Sequence, residues 1–219
     1  MRADAQRNAE KLRAAAAELF RERGLQAPLK EIARRAGVSH GTLYNLFGSR
    51  EALIDEVVTD IAAANLRDTA ERALAYEDPW DGFAYYVERL CELQATDPAI
   101  GDVVSGRYPN ATRLMTVCEH SFGYTVRVIE RARQDGSLRP DFTPEDLLLV
   151  LGTNALLARA AAGLAPDVWR RGVAFALDGL RTAAARPLPA GPLTPEQMYE
   201  VMGNLNAGAA RGGTDPTAP

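Results

Sequence analysis

Histidine and cysteine are scarce in this chain of 219 residues, which contains two of each. Cys91 and Cys118 are too few for a disulfide framework and do not have the spacing of metal ligands. Cys118 and His120 are two positions apart, so on a helix they point about 200° away from each other. This geometry argues against a paired nucleophile and base. Because a glycine-rich phosphate loop and a spaced acidic cluster are also lacking, the sequence predicts a protein that is not an enzyme and binds no metal or other cofactor.

Long apolar runs are missing as well. The longest nearly apolar run, Leu147 to Ala158, has twelve residues, whereas a membrane-spanning helix needs about 20. No apolar stretch follows a basic start at the N-terminus, so no signal peptide is predicted. We therefore expect a cytoplasmic protein without a membrane partner.

No segment has the alternating pattern of a strand, and the apolar residues recur at helical spacing throughout. The predicted fold class is all-α. Capping residues, prolines and glycines delimit the expected helices, which cover residues 5–23, two short helices within 28–47, 50–75, 79–95, 98–107, the segment after Pro109 up to 134, 143–163 and 166–181.

Charge is distributed unevenly along the chain. Residues 1–50 contain ten Lys or Arg and five Asp or Glu, a net of +5, and the remainder contains fifteen against twenty-four, a net of −9, which together give −4. A basic N-terminal module on an acidic body is typical of a protein that meets nucleic-acid phosphates with its first part only.

The basic module contains a helix-turn-helix pattern at residues 28–47. Pro28 suits a first helical position, Gly37 a left-handed helix stop, and Ser39 the N-cap of a second helix. The apolar residues of the first helix lie on one face, and those of the second, Leu43 and Phe47, point inward. Two short helices around a glycine-containing turn place the second helix in the DNA major groove.

The run from Leu29 to Tyr44, LKEIARRAGVSHGTLY, followed by Phe47 and a long predicted helix, resembles the tetracycline-repressor (TetR) family of bacterial transcription regulators. The resemblance covers roughly residues 5–65. The sequence departs from the family pattern at three positions. The family often has His where this chain has Leu46, Lys where it has Arg50, and Ser or Thr where it has Pro28. The resemblance implies an N-terminal three-helix DNA-binding domain followed by a C-terminal helical domain for ligand binding and dimerisation.

The polar residues of the second short helix are candidates for DNA contact. At the start of a recognition helix, His40 and Asn45 could bond to base edges, and Gly41 allows close approach. Asn45 could instead contact only the backbone, and His40 and Tyr44 could be surface side chains without a DNA role. The resemblance implies that hydroxyl groups and positively charged side chains among the candidate residues bind DNA phosphates. The full set of DNA-binding candidates is Lys30, Ser39, His40, Gly41, Thr42, Tyr44, Asn45 and Arg50.

Aromatic and sulfur-containing side chains cluster between Trp80 and Tyr124. Such residues line small-molecule cavities, although each of them alone is also an ordinary core residue. The candidates for a ligand pocket are Trp80, Phe83, Tyr85, Tyr86, Met115, Cys118 and Phe122.

The helix predicted from Thr143 to Gly163 is apolar nearly all round, so it is expected to be buried on more than one side. Small residues on it would allow a second subunit to approach closely, although it could also be the central helix of a monomer. The candidates for a homodimer interface on this helix and the next are Gly152, Ala155, Ala158, Ala162, Trp169, Val173, Leu177 and Leu180.

Three regions are expected: a helix-turn-helix DNA-binding domain at 5–65, a helical regulatory and dimerisation domain at 66–185, and a Pro/Gly-rich tail at 186–219. In the tail, Thr194 to Gln197 resembles a capping box that would start a short helix, and residues beyond Gly208 are expected to be disordered. The predicted function is ligand-responsive regulation, as a repressor that binds a pseudo-palindromic double-stranded operator as a homodimer and is released by a small apolar or amphipathic effector. The alternative is a helical interaction module with a degenerate helix-turn-helix.

Overall fold

The computed structural model describes residues 2–106 and 108–211, with side chains described for residues 4–106 and 108–205. Over this part of the chain every regular element is helical, and the one strand-like contact is an isolated antiparallel bridge between Leu138 and Arg181. The predicted all-α fold is confirmed. The α-helices are α1 Arg2–Arg23, α2 Leu29–Arg35, α3 His40–Phe47, α4 Arg50–Val57, α5 Thr59–Ala75, α6 Pro79–Thr96, α7 Pro98–Ser105, α8 Thr112–Asp135, α9 Leu147–Ala161, α10 Val168–Leu180 and α11 Pro195–Arg211.

The turn between α2 and α3 follows from its sequence. Gly37 has φ +68°, a left-handed conformation that glycine adopts without steric cost. It lets the backbone N–H of Val38 donate to the carbonyl of Ala33 at 3.0 Å. Pro28 is the N-cap of α2, with ψ 124°, so the expectation that it occupies the first helical position is wrong by one residue. Leu29 occupies the first helical position instead.

The helix predicted over residues 50–75 is interrupted. Between α4 and α5 lies Val58, at φ −106° and ψ −29°. Hydrogen bonds from Val58 to Ile54 (2.8 Å) and from Ala62 to Val58 (2.9 Å) continue across the break. Because neither glycine nor proline marks the position, the sequence pattern does not reveal this interruption.

Two apolar cores organise the helices. The first contains residues of α1 to α4 together with Ile100 and Val103 of α7, Tyr108, and Leu114 of α8. The second contains residues of α5, α6, α8, α9 and α10. The N-terminal helices therefore share their core with α7 and the start of α8, so the core continues past the expected domain boundary at residue 65.

The C-terminal segment is fastened where it leaves α10. Arg139, which is buried, donates to the carbonyl of Arg186 at 2.7 Å and pairs with Asp141 at 2.6 Å. The capping box is confirmed: the Thr194 N–H donates to Gln197 Oε1 at 2.9 Å, and the Gln197 N–H donates to Thr194 Oγ1 at 3.3 Å. The helix that follows, α11, is longer than expected.

Residues 209–211 are helical, so the expectation of disorder beyond Gly208 is wrong for them, and its remainder concerns residues outside the described part of the chain. None of the described helices combines the length and hydropathy that crossing a bilayer requires.

Candidate DNA-binding face and ligand cavity

The start of α3 is held by its cap. Ser39 Oγ accepts the backbone N–H of Thr42 at 3.1 Å, and the two hydroxyls are 2.9 Å apart. Such a bond satisfies one of the N–H groups that have no partner within the helix. Ser39 and Thr42 therefore have a structural role at the helix start, whichever other contacts they make.

One face of α3 is exposed and carries four of the predicted DNA-contact residues, His40, Gly41, Tyr44 and Asn45. Tyr44 is 44% exposed, and its ring packs edge-on against that of His40, with centroids 4.9 Å apart at 83°. Gly41 and Asn45 are exposed beside them, while His40 is half-buried. The structure thus brings these residues together on one surface.

The opposite face of α3 is fixed to the core. Leu43 and Phe47 are buried, and Leu46 packs against the same core. The guanidinium of Arg13 lies over the Phe47 ring at 5.6 Å and pairs with Glu56 of α4 at 2.6 Å. The exposed face is therefore presented by a braced helix.

Arg50 lies in a different setting from the one expected of a phosphate ligand. Its Nη1 donates to the carbonyls of Leu25 (2.8 Å) and Ala27 (2.7 Å), and burial lowers its pKa. The side chain therefore holds the turn between α1 and α2. Lys30, in contrast, is exposed on α2 and forms no ion pair with the described residues.

A cavity of about 350 Å³ lies in the C-terminal part of the chain. Four predicted pocket residues line it, and most of the remaining lining is apolar. The lining residues are Leu66, Tyr86, Leu90, Val103, Val104, Gly106, Pro109, Met115, Cys118, Glu119, Ser121, Phe122, Thr125, Pro144, Leu147, Leu148, Leu151, Met198, Tyr199 and Met202.

The cavity has a small polar spot in its apolar wall. The hydroxyls of Tyr86 and Thr125 are 2.7 Å apart, and burial raises the pKa of the Tyr86 phenol. Among the described lining residues, Glu119 is the one charged side chain, and it is exposed. This lining suits an apolar molecule with one hydrogen-bonding group.

The other three pocket candidates do not line this cavity. Trp80 and Phe83 belong to the second core, with ring centroids 5.7 Å apart, and the Arg181 guanidinium lies 4.2 Å from the Trp80 ring. Tyr85 lines a smaller recess beside Trp169. The three residues precede Tyr86 on the same helix but occupy other faces of it.

Sequence reasoning missed the junction between α7 and the turn after α1. Asp102 Oδ2 accepts the backbone N–H of Leu25 at 2.7 Å, and its other oxygen lies 3.8 Å from Arg159. Gly24 has φ +78°, and a Cβ at this position would collide with the Asp102 carboxylate. The next two residues of α7, Val103 and Val104, line the cavity, so one short helix contacts both the cavity and the N-terminal module.

The structure separates the dimer-interface candidates into two groups. Five are buried within the chain itself, namely Gly152, Ala155, Trp169, Val173 and Leu177. Ala158 and Leu180 are half-buried, and Ala162 is exposed. The large apolar side chains that these two helices and the turn between them leave exposed are Leu149, Leu156, Leu157, Leu164 and Phe175, which we call the outward surface.

The two thiols have little nucleophilic character. Burial raises the pKa of Cys91 to about 12 and that of Cys118 to about 11, so both are protonated at neutral pH. Within the described residues, no group of three or more His, Cys, Asp or Glu side chains could hold a metal ion.

Comparison with known proteins gives matches along most of the chain. The sequence model described as "Bacterial regulatory proteins, tetR family" matches residues 12–57, and the one described as "Transcriptional regulator SbtR-like, C-terminal domain" matches residues 78–182. The chain is 30% identical over 206 residues to the HTH-type transcriptional regulator UidR of Escherichia coli K12, covering 84% of this chain and 98% of UidR.

Two further proteins are similar over most of their length. The HTH-type transcriptional repressor KstR2 of Rhodococcus jostii is 28% identical over 189 residues, which covers 75% of this chain and 87% of KstR2. The crystal structure of RolR in complex with resorcinol has a TM-score of 0.53 at 21% identity, covering 87% of this chain and 99% of RolR. UidR and KstR2 are transcription regulators, and the chain belongs to the TetR family of bacterial regulatory proteins.

Proposed function

We propose that this regulator represses transcription by binding a pseudo-palindromic operator as a homodimer, and that a small apolar or amphipathic molecule releases it. The observation that carries the proposal is the exposed face of α3, where His40, Gly41, Tyr44 and Asn45 project from a capped and braced helix. The relative KstR2 is a transcriptional repressor, which supports repression rather than activation by this chain.

The residues of this face divide by chemistry. His40 and Asn45 carry groups that can bond to base edges, and Gly41 lets the helix approach the groove floor. Tyr44, with the hydroxyls of Ser39 and Thr42, suits phosphate oxygens, which position a protein without reading sequence. Lys30 adds a free cation. Arg50 contributes indirectly, because it holds the turn that carries α2.

A dimer is needed for two copies of α3 to reach half-sites one helical turn apart, about 34–36 Å. The outward surface supports one: Leu164 is 90% exposed, and four more large apolar side chains accompany it. Large apolar side chains grouped on a protein surface often mark a contact with another protein. We place the contact on these residues, with Ala162 among them, rather than on the inward residues of α9 and α10.

The cavity supports the proposal that a small-molecule effector binds this protein. Its volume of about 350 Å³ lies within the range of about 300–1,000 Å³ that is usual for small-molecule sites. RolR, which has the same fold, has been solved with resorcinol, a small aromatic molecule with two hydroxyls. The Tyr86 and Thr125 hydroxyls could bond one such group in this cavity.

Two routes connect the cavity to the DNA-binding module. Leu66 of α5 lines the cavity, and α5 leads through Val58 into α4. Val103 and Val104 of α7 also line it, and Asp102 bonds to the turn after α1. A ligand lowers DNA affinity only by favouring a state that binds DNA less well, and such coupling is typically about 1–3 kcal/mol.

The DNA half of the proposal is tested by a mobility-shift assay on the DNA upstream of the protein's own gene, repeated over a range of salt concentrations. Phosphate contacts make log affinity fall linearly with log salt. Tyr44→Phe should weaken binding about evenly across operator variants, whereas Asn45→Ala should relax the preference at one base pair. A slope near zero would instead favour the interaction module with a degenerate helix-turn-helix.

The effector half is tested by a thermal-shift screen of hydrophobic metabolites, followed by operator titration with each hit. A ligand at about 100 times its dissociation constant should add roughly 2.7 kcal/mol of stability. Tyr86→Ala should impair release from the operator while leaving operator affinity intact, and Tyr85→Ala, outside the cavity, is the matched control. Tight ligands that leave operator affinity unchanged would refute the regulatory role.

A further inference from the structure

The C-terminal helix α11 supplies part of the cavity wall. Met198, Tyr199 and Met202 line the cavity, and Met198 is only 5% exposed. Leu205 reaches Gly152 of α9, with its Cδ1 3.6 Å from the position of a Cβ at that glycine. Met198, Met202 and Leu205 follow at intervals of four and three residues, so they form one stripe of the helix.

Among the described side chains of α11, those outside this stripe are exposed to solvent, apart from the half-buried Tyr199. Glu200, Val201, Gly203 and Asn204 are exposed. Although Met198 is buried, it belongs to neither of the two apolar cores, whereas the wall residues Leu90 of α6 and Leu147 of α9 are in the second core. The described side chains of α11 therefore contact the body through this stripe and Tyr199, whereas much of the remaining wall belongs to a larger core.

An exposed linker connects α11 to the rest of the chain. Residues 187–194 link it to the point where Arg139 holds the Arg186 carbonyl, and three of these eight residues are prolines. The linker is exposed apart from a half-buried Leu193. The match to the family's C-terminal domain ends at residue 182, before α11 begins.

We propose that α11 is a tethered lid that opens to admit the effector and closes over it, and that Met198 and Met202 select the molecules that are retained. This inference rests on the proposed role of the cavity as the effector site. Methionine is flexible and polarizable, and its sulfur packs well against aromatic rings. Because the same cavity is also lined by the Tyr86–Thr125 hydroxyl pair, the lid suits small aromatic molecules that carry a hydroxyl group.

Lid opening can be measured without any ligand, because Cys118 lines the cavity. Cys118 is half-buried there, so the reagent should reach its thiol more slowly in the closed state than after α11 has moved away. The reagent is monobromobimane, a neutral molecule, and peptide mass spectrometry separates Cys118 from Cys91. Cys91 is fully buried in the second core, so its labelling reports global unfolding.

Met198→Asp places a charge on the buried stripe and should release the lid. Alkylation of Cys118 should then accelerate by roughly tenfold or more, since burial of a Met side chain is worth a change of that order in an equilibrium. Val201→Asp adds the same charge to the exposed face of the same helix and should leave the rate unchanged. Met198→Gln, a milder change for use if Met198→Asp exposes Cys91, should give an intermediate acceleration.

The dye N-phenyl-1-naphthylamine, which fluoresces in apolar sites, measures retention. Its dissociation should be faster from Met198→Asp than from the wild type and unchanged in Val201→Asp. Unchanged Cys118 alkylation in both Met198 variants overturns the lid, even if the dye binds the cavity of every protein. Conversely, accelerated alkylation without dye binding to any variant supports the lid and counts against the proposed effector site.

Discussion

The carboxylate of Asp102 accepts the backbone N–H of Leu25 at 2.7 Å and thereby joins α7 to the turn that follows α1. The next two residues of α7, Val103 and Val104, line the cavity. The cavity wall and the DNA-binding module are thus in contact through three consecutive residues. This route is shorter along the chain than the one through α5, Val58 and α4.

Removing the Asp102 carboxylate should destabilise the protein. In Asp102→Ala the Leu25 N–H loses its acceptor in a largely buried position, which typically costs about 1–3 kcal/mol. Asp102→Asn retains an oxygen acceptor and is the matched control, so it should lose less. Urea unfolding of the three proteins measures the difference. Equal stability of Asp102→Ala and the wild type would show that the bond does not contribute.

Asp102 should also make stability depend on pH. Burial raises the pKa of its carboxyl above the ordinary value of 3.8, with the Leu25 N–H and Arg159 acting in the opposite direction. A group with a higher pKa in the folded state contributes stability that is fully present below its unfolded pKa and is lost as pH rises through the folded pKa. Relative to Asp102→Asn, which does not titrate here, the wild type should lose stability as pH rises above about 4.

The measurement for this pH effect is the difference in free energy of unfolding between the wild type and Asp102→Asn, determined at several pH values from about 4 to 7. The subtraction removes the contributions of the other carboxylates. A difference that stays constant over this range would show that burial of Asp102 has no energetic effect.

Arg50→Ala should change the stability of the fold more than it changes the electrostatic contribution to DNA binding. It removes the two hydrogen bonds to the carbonyls of Leu25 and Ala27, at an expected cost of about 1–3 kcal/mol. The slope of log operator affinity against log salt should stay unchanged. Lys30→Ala is the opposite case, with stability unchanged and the slope flatter by about one unit. If Arg50→Ala flattens the slope and leaves stability intact, Arg50 is a phosphate ligand.

The outward surface should hold the dimer together. Leu156→Glu introduces a charge twice in a symmetric interface, and burial of each leucine is worth about 1.5–3 kcal/mol, so dimerisation should weaken by on the order of a hundredfold or more. Ile61→Glu on α5 is the control, because Ile61 is 51% exposed and Leu156 is 53% exposed. Sedimentation velocity at micromolar concentration measures the result. A wild-type monomer under these conditions would contradict the prediction.

Local signals in the sequence predicted the helix starts well. Ser39, Ser49, Asp78 and Asp97 all cap helices with a side-chain hydrogen bond in the structure. Such caps depend on a few neighbouring residues, so they are visible without tertiary information. The break at Val58 has no such signal.

Orientation about a helix axis was harder to predict. Periodicity shows that Trp169, Val173 and Leu177 share one face, but it cannot show whether that face meets the chain's own core or a second subunit, and they lie in the core. Trp80, Phe83 and Tyr86 of α6 are all buried aromatic residues, but of the three only Tyr86 lines the cavity. The Asp102–Leu25 bond joins residues 77 apart, and no sequence pattern indicates such a contact.

The bond from Arg139 to the Arg186 carbonyl leaves only residues 187–194 between a fixed point and α11. Such a short tether keeps the detached helix at an effective concentration in roughly the millimolar range. Reclosure is therefore a unimolecular event that does not depend on how dilute the protein is. A separate peptide with the α11 sequence would have to reach comparable concentrations to replace it, whereas the attached helix remains available even at a few molecules per cell.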